Sequence, residues 1–115
     1  MNLSVRLEDA GAGDVLRRAP RRLRSGLRAQ VARSALAVER GGKQRAAVDT
    51  GRLRASIRPR FTSDGLGAEV FTDVRYGPHV EFGTARMAAR PFLTPAAEAE
   101  QSSYQAGIRR VLQDL

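Results

Sequence analysis

The chain opens with a period of two: Leu3, Val5 and Leu7 alternate with Ser4, Arg6 and Glu8, which predicts a half-buried strand over 2–8. Gly11 and Gly13 break that pattern, and Asp14 suits the cap of a short helical turn ending near Ala19. From Pro20 the period becomes 3.6. Leu23, Leu27, Val31, Ser34 and Val38 share one face, so a long helix is expected over about 20–40 or longer. Pro20 fits its first turn, where a missing N–H has no partner to lose. Nearly opposite lie Ser25, Ala29, Ala32 and Leu36, small enough for another subunit to approach closely; the plainer reading is an Ala-rich face in water. Gly41 and Gly42 each disfavour a helix interior by about 1 kcal/mol relative to Ala. The helix is therefore expected to weaken or end there, with Lys43 to Ala47 continuing it beyond a kink.

Asp49 and Thr50 are good cap residues for a short helix over 50–57 that carries Leu53 and Ile57 and is stopped by Pro59. A hairpin over 60–73 follows, turning at Asp64-Gly65 between β-branched and aromatic residues. Tyr76 to Phe82 reads as an extended edge segment, 76–82, because Pro78 cannot donate to a central ladder. A polar loop, 83–89, leads to Thr94-Pro95, which open a C-terminal helix over 95–114 with a stripe of Tyr104, Ile108, Val111, Leu112 and Leu115. The expected fold is one α+β domain spanning 1–115: a small antiparallel sheet of 3-4 strands with a central hairpin, packed against a long N-terminal helix and a C-terminal helix.

Composition narrows what such a domain can do. Only six aromatics occur, so the core rests on Leu, Val, Ile and Ala, and burial against neighbouring subunits would supplement it. There is no Cys and one His, which removes disulfides, thiolate metal sites and a His-rich zinc site. No apolar run approaches the roughly 18 residues of a membrane span and no signal peptide is apparent, so a soluble, unprocessed product of the cytoplasm is expected. The net charge of +8 is uneven: residues 1–60 hold fifteen Lys/Arg against five Asp/Glu, while residues 61–115 hold five against seven.

A catalytic set is hard to assemble. Gly11-Ala12-Gly13 is too short for a phosphate loop and reads as a turn. His79 and Glu81 share a face if their segment is extended, yet no Ser, Cys or metal set stands beside them. No enzymatic activity, cofactor, metal or small-molecule substrate is therefore expected. The basic first half leaves an alternative, a small nucleic-acid-binding module, although Arg24, Arg28 and Arg33, Arg40 flank the long helix on two sides rather than forming one stripe.

Three strings carry the remaining signal: Val48 to Ile57 (VDTGRLRASI), Tyr76 to Thr84 (YGPHVEFGT) and Arg90 to Ala96 (RPFLTPA). In their order and spacing the chain resembles the small neck, head-tail joining or tail-completion (minor tail) proteins of long-tailed bacteriophages. The matching residues are Val48, Asp49, Thr50, Gly51, Leu53, Arg54, Ser56 and Ile57, then Tyr76 and Val80 to Thr84, then Arg90 to Leu93, Pro95 and Ala96. The chain departs from that pattern at Gly41-Gly42 and at Ala47, where Pro is common. The resemblance implies a non-enzymatic virion protein, made in the bacterial host cytoplasm. It would form a homo-oligomeric ring, sixfold by preference, at the head-tail neck, touching other neck and tail proteins while phage DNA passes through without sequence recognition.

For such a ring the interface candidates are Arg52, Arg54 and Arg58, expected to face outward, Glu81 as their acidic partner on the next subunit, and Ala29, Ala32 and Leu36 on the second helix face. Phe82 and Phe92 are expected to plug the core on either side of the loop, whose Thr84, Arg86 and Met87 are docking candidates.

Overall fold

A computed structural model of the chain describes residues 3–7, 17–46 and 51–113. Strand β1 (Leu3–Leu7) is followed by the long helix α1 (Arg21–Arg45), the short helix α2 (Arg52–Ser56), strands β2 (Arg58–Phe61) and β3 (Ala68–Thr72), a six-residue helix α3 (Gly77–Phe82) and the C-terminal helix α4 (Leu93–Leu112). The architecture is α+β: a three-stranded antiparallel sheet packed against two helices. The expected hairpin and the two long helices are present. Asp49 and Thr50, proposed as caps, lie outside the described residues, as do Asp14 and Leu115.

The sheet order is β1-β3-β2, with Val5 opposite Val70 on one side and Arg60 opposite Glu69 on the other. Alternation then sorts β3: Ala68, Val70 and Thr72 face the helices, while Glu69 and Phe71 face away. The turn between β2 and β3 is fixed by Asp64, whose Oδ1 accepts the Thr62 hydroxyl at 2.6 Å and the Leu66 N–H at 3.0 Å, with Gly65 at φ 72°.

The expected core face of α1 is buried in full, from Leu23 through Leu27, Val31, Ser34 and Val38. What differs is the helix's length, because α1 runs unbroken through Gly41 and Gly42 to Arg45. Tertiary packing overrides the propensity of these residues. A Cβ on Gly42 would stand 3.0 Å from Leu93 Cδ2 and 3.7 Å from Ile57 Cγ2, so glycine here lets α1 close directly onto α4 and the end of α2. The two long helices run antiparallel: Gly42 meets Leu93 at one end and Gly26 meets Val111 at the other. Midway, Ser34 Oγ donates to Glu100 Oε2 at 2.8 Å and accepts from Gln30 Nε2 at 3.0 Å, so these three polar side chains are paired across the helix contact. This helical hairpin sets the long axis of a molecule measuring 52 × 24 × 21 Å.

The expected edge strand is overturned. Residues 76–82 do not form an edge strand; Gly77–Phe82 is helical, and the sheet has three strands among the described residues. Pro78 signals a helix start rather than a sheet edge, since the first turn of a helix has no use for its N–H.

Candidate functional site

The second and third strings meet through one carboxylate. Helix α3 turns Glu81 inward until it is 2% exposed. There Oε1 accepts the N–H groups of Phe92 at 3.2 Å and Leu93 at 2.9 Å, and Oε2 accepts that of Thr94 at 3.3 Å. These amides belong to the N-cap and first two positions of α4, and the next residue, Pro95, has no N–H to satisfy. An anion therefore saturates the start of α4, where the helix dipole also favours negative charge. Thr94, expected as the cap, makes no side-chain cap bond and supplies its backbone instead.

This geometry corrects the role assigned to Glu81. Its carboxylate is occupied by three backbone donors inside the subunit and is not presented to an arginine of another copy. It also separates Glu81 from His79, which is exposed, because residues two apart project from opposite sides of a helix. The neighbouring residue is corrected as well. With Glu81 held inward, Phe82 is turned outward and is 69% exposed, whereas Phe92 is fully buried as expected.

The connection from Gly83 to Pro91 is short of secondary structure but not of hydrogen bonds. Thr84 and Met87 exchange two backbone bonds, 2.8 and 3.3 Å, and Thr84 Oγ1 accepts the Arg86 N–H at 3.2 Å. Arg90 N–H then donates to Val80 O at 2.7 Å, tying the segment back to α3. The docking candidates Thr84, Arg86 and Met87 all lie on this closed turn and are exposed.

The first string docks on the sheet. Leu53 and Ile57 are buried, and Ser56 Oγ lies 2.6 Å from both Leu53 O and Thr72 Oγ1. Because the Ser56 proton goes to Leu53 O, the Thr72 hydroxyl donates to Ser56 and in turn accepts the Val74 N–H. Its arginines separate. Arg58 pairs with Asp73 at 3.2 Å and lies 5.0 Å from the Phe71 ring, which Arg60 covers from 4.5 Å while bonding Glu69. Two guanidinium groups thus shield an aromatic on the outer sheet face.

Arg52 shares with Asp73 and Tyr76 the wall of a groove of about 540 Å³. Arg54 and Leu36 share another, about 660 Å³, with Glu39, Arg40 and Lys43. Arg54 is half-buried rather than outward, with Nε enclosed and without a hydrogen-bond partner. Ala29 is exposed, Ala32 half-buried and Leu36 50% exposed, so the second face of α1 is turned away from the core.

Sequence reasoning missed Asp73, Glu69 and Phe71 as partners of the arginines. Their signal was in the hairpin register, which puts 58, 60, 69 and 71 on one face once the turn is centred on Asp64-Gly65. Among the described residues no three His, Asp or Glu side chains are grouped as metal ligands. No family model, curated protein or solved structure matches the chain.

Proposed function

We propose that the chain is a structural subunit of a tailed phage or phage-like particle, forming a homo-oligomeric ring at the head-tail neck that completes or joins the tail. The observation that supports this reading is the opposed orientation of two adjacent residues. Glu81 spends its charge inside the subunit, and the same turn of helix projects Phe82 into solvent on a segment tied back by Arg90. A large apolar side chain held rigidly outward is suited to burial in a partner. Met87, 41% exposed, and Leu36 are further apolar contacts available to neighbouring copies or to other neck and tail proteins. The three strings have architectural duties in this account: the first fastens α2 to the sheet, the second supplies Glu81 and Phe82, and the third starts α4.

Mass photometry and sedimentation velocity over rising protein concentration test the reading, with electron microscopy of the largest species. A closed ring is expected, reduced to monomers by Phe82→Ser with no loss of helical content. Protein that stays monomeric throughout, or a ring indifferent to both Phe82→Ser and Met87→Ser, would sink it.

A further inference from the structure

Positive charge without partners among the described residues gathers at one end of the molecule. Since α1 and α4 are antiparallel, the start of α1 lies beside the end of α4, where a Cβ on Gly26 would stand 3.1 Å from Val111 Cγ1. Arg21 and Arg22 lie about one turn before that contact, Arg18 just ahead of the helix, and Arg109 and Arg110 immediately before Val111. All five are exposed, and among the described residues none makes a hydrogen bond or ion pair. Around them Arg17 bonds the Asp64 carboxylate at 3.1 Å, Arg28 the Asp64 carbonyl and Arg24 the Arg17 carbonyl.

Folding does not account for this accumulation. Arg21, Arg22 and Arg24 open a helix whose first turn holds no acid, so they oppose its dipole and one another. Nor does the surface resemble a protein-binding patch. The exposed positions near these arginines include Ser25, Ala29, Gln105 and Ala106; Phe61, 44% exposed beside the Asp64 turn that Arg17 and Arg28 hold, is a lone large apolar side chain near this end, while Phe82 and Met87 adjoin the opposite end of α4. Many arginines around one isolated aromatic lack the clustered apolar centre of a protein interface and the continuous apolar face of a membrane-surface helix. It fits a polyanion whose charges repeat along a line, and guanidinium groups grip phosphate oxygens in pairs.

We propose that this arginine end is a sequence-independent contact surface for the phosphate backbone of double-stranded nucleic acid. The ring reading supplies the identity of the duplex, the one threaded through the particle; the surface itself rests on the arginines.

The test is fluorescence anisotropy with two labelled duplexes of unrelated sequence and equal length. Both should bind equally, and affinity should fall on the order of a hundredfold between about 50 and 200 mM salt. Replacing Arg21, Arg22, Arg109 and Arg110 together by Gln should weaken low-salt binding more than tenfold and lower the salt slope by roughly 3–4. Arg45→Gln with Arg90→Gln, two exposed arginines at the other end, should leave the slope unchanged; far-UV circular dichroism confirms that both variants are folded. Equal losses in both variants, a preference for one sequence, or tighter retention on vesicles rich in phosphatidylserine than on duplex would overturn the proposal. Mass photometry of the same samples keeps the two readings apart. A ring that ignores DNA removes this inference alone, whereas a monomer that binds DNA through these arginines removes the ring and leaves the surface standing.

Discussion

At its N-terminus α4 receives Glu81, a carboxylate 2% exposed and met by three backbone N–H groups; roughly 30 Å away, at its C-terminus, Arg109 and Arg110 stand in solvent, at the same end of the molecule as Arg21 and Arg22, with no partner among the described residues. Both placements suit the helix dipole, yet they differ in what they leave over. A buried charge must be matched atom for atom, since an unmatched one costs several kcal/mol, so Glu81 is consumed by the fold. Exposed arginines cost little in water and keep their donors free for a ligand. The distance between the ends exceeds the screening length at physiological salt, about 8 Å, so the ends act independently. A charged residue's accessibility therefore says more about its availability to a partner than its sign does.

The strongest way to break that contrast is to remove the carboxylate. Glu81→Ala leaves the Phe92, Leu93 and Thr94 amides enclosed and unpaired and unties the VEFG segment from α4. A loss of about 2–4 kcal/mol is expected in urea unfolding, since hydrogen bonds to charged groups contribute about 1.5–3 kcal/mol and orphaned buried donors add to the deficit. A change below about 0.5 kcal/mol, the range of ordinary surface substitutions, would mean that Glu81 is not consumed by the fold.

Most of the architecture was legible before the structure because its signals are local. The α1 stripe from Leu23 to Val38, the alternation of β1 and the Asp64-Gly65 turn each depend on residues within a few positions of one another. What was misread depends on distant partners. Glu81 is eleven to thirteen residues from the amides it caps, and no local pattern distinguishes a carboxylate aimed at a helix start from one aimed at water. Gly77-Pro78 reads as the mark of a bent edge segment over 76–82, although the same proline opens a helix. Leu93, which justifies Gly42, lies fifty-one positions away. The outward-facing arginines of the first string were expected to find an acid on another subunit, yet Arg58 finds Asp73 within its own chain.

A pair of glycine substitutions sharpens the same comparison. Gly26→Ala and Gly42→Ala each bring the roughly 1 kcal/mol helix-propensity gain of alanine, and each new Cβ would sit close to a side chain on α4. At Gly26 the neighbour is Val111, half-buried in the last turn of α4, and it can move aside; the variant should gain up to about 1 kcal/mol. At Gly42 the neighbour is Leu93, fully buried directly beside the amides bound to Glu81, and overpacking should cancel the gain and cost about 1 kcal/mol net. Thermal unfolding of the two variants should therefore move in opposite directions. Equal shifts would show that the capped end is no more rigid than the arginine end.

Asp64 provides the smallest effect and the counterpart to Glu81, because it is a carboxylate at the arginine end that is partly exposed, with 37% of its side chain in solvent. Hydrogen bonds from the Thr62 hydroxyl and the Leu66 N–H, aided by Arg17, hold its pKa at about 2, below the ordinary 3.8, against the opposing pull of burial. A carboxyl whose folded-state pKa is depressed adds stability that is complete above its unfolded value near 3.9 and disappears as pH falls through about 2. Urea midpoints measured at pH 5, 3 and 2 should thus fall less steeply in Asp64→Asn than in the parent chain, because the variant carries no proton-linked contribution at this turn. The difference between the two profiles isolates Asp64 from the general repulsion that accumulates as the other carboxylates are protonated. Parallel profiles would mean that Asp64 titrates alike in the folded and unfolded chains.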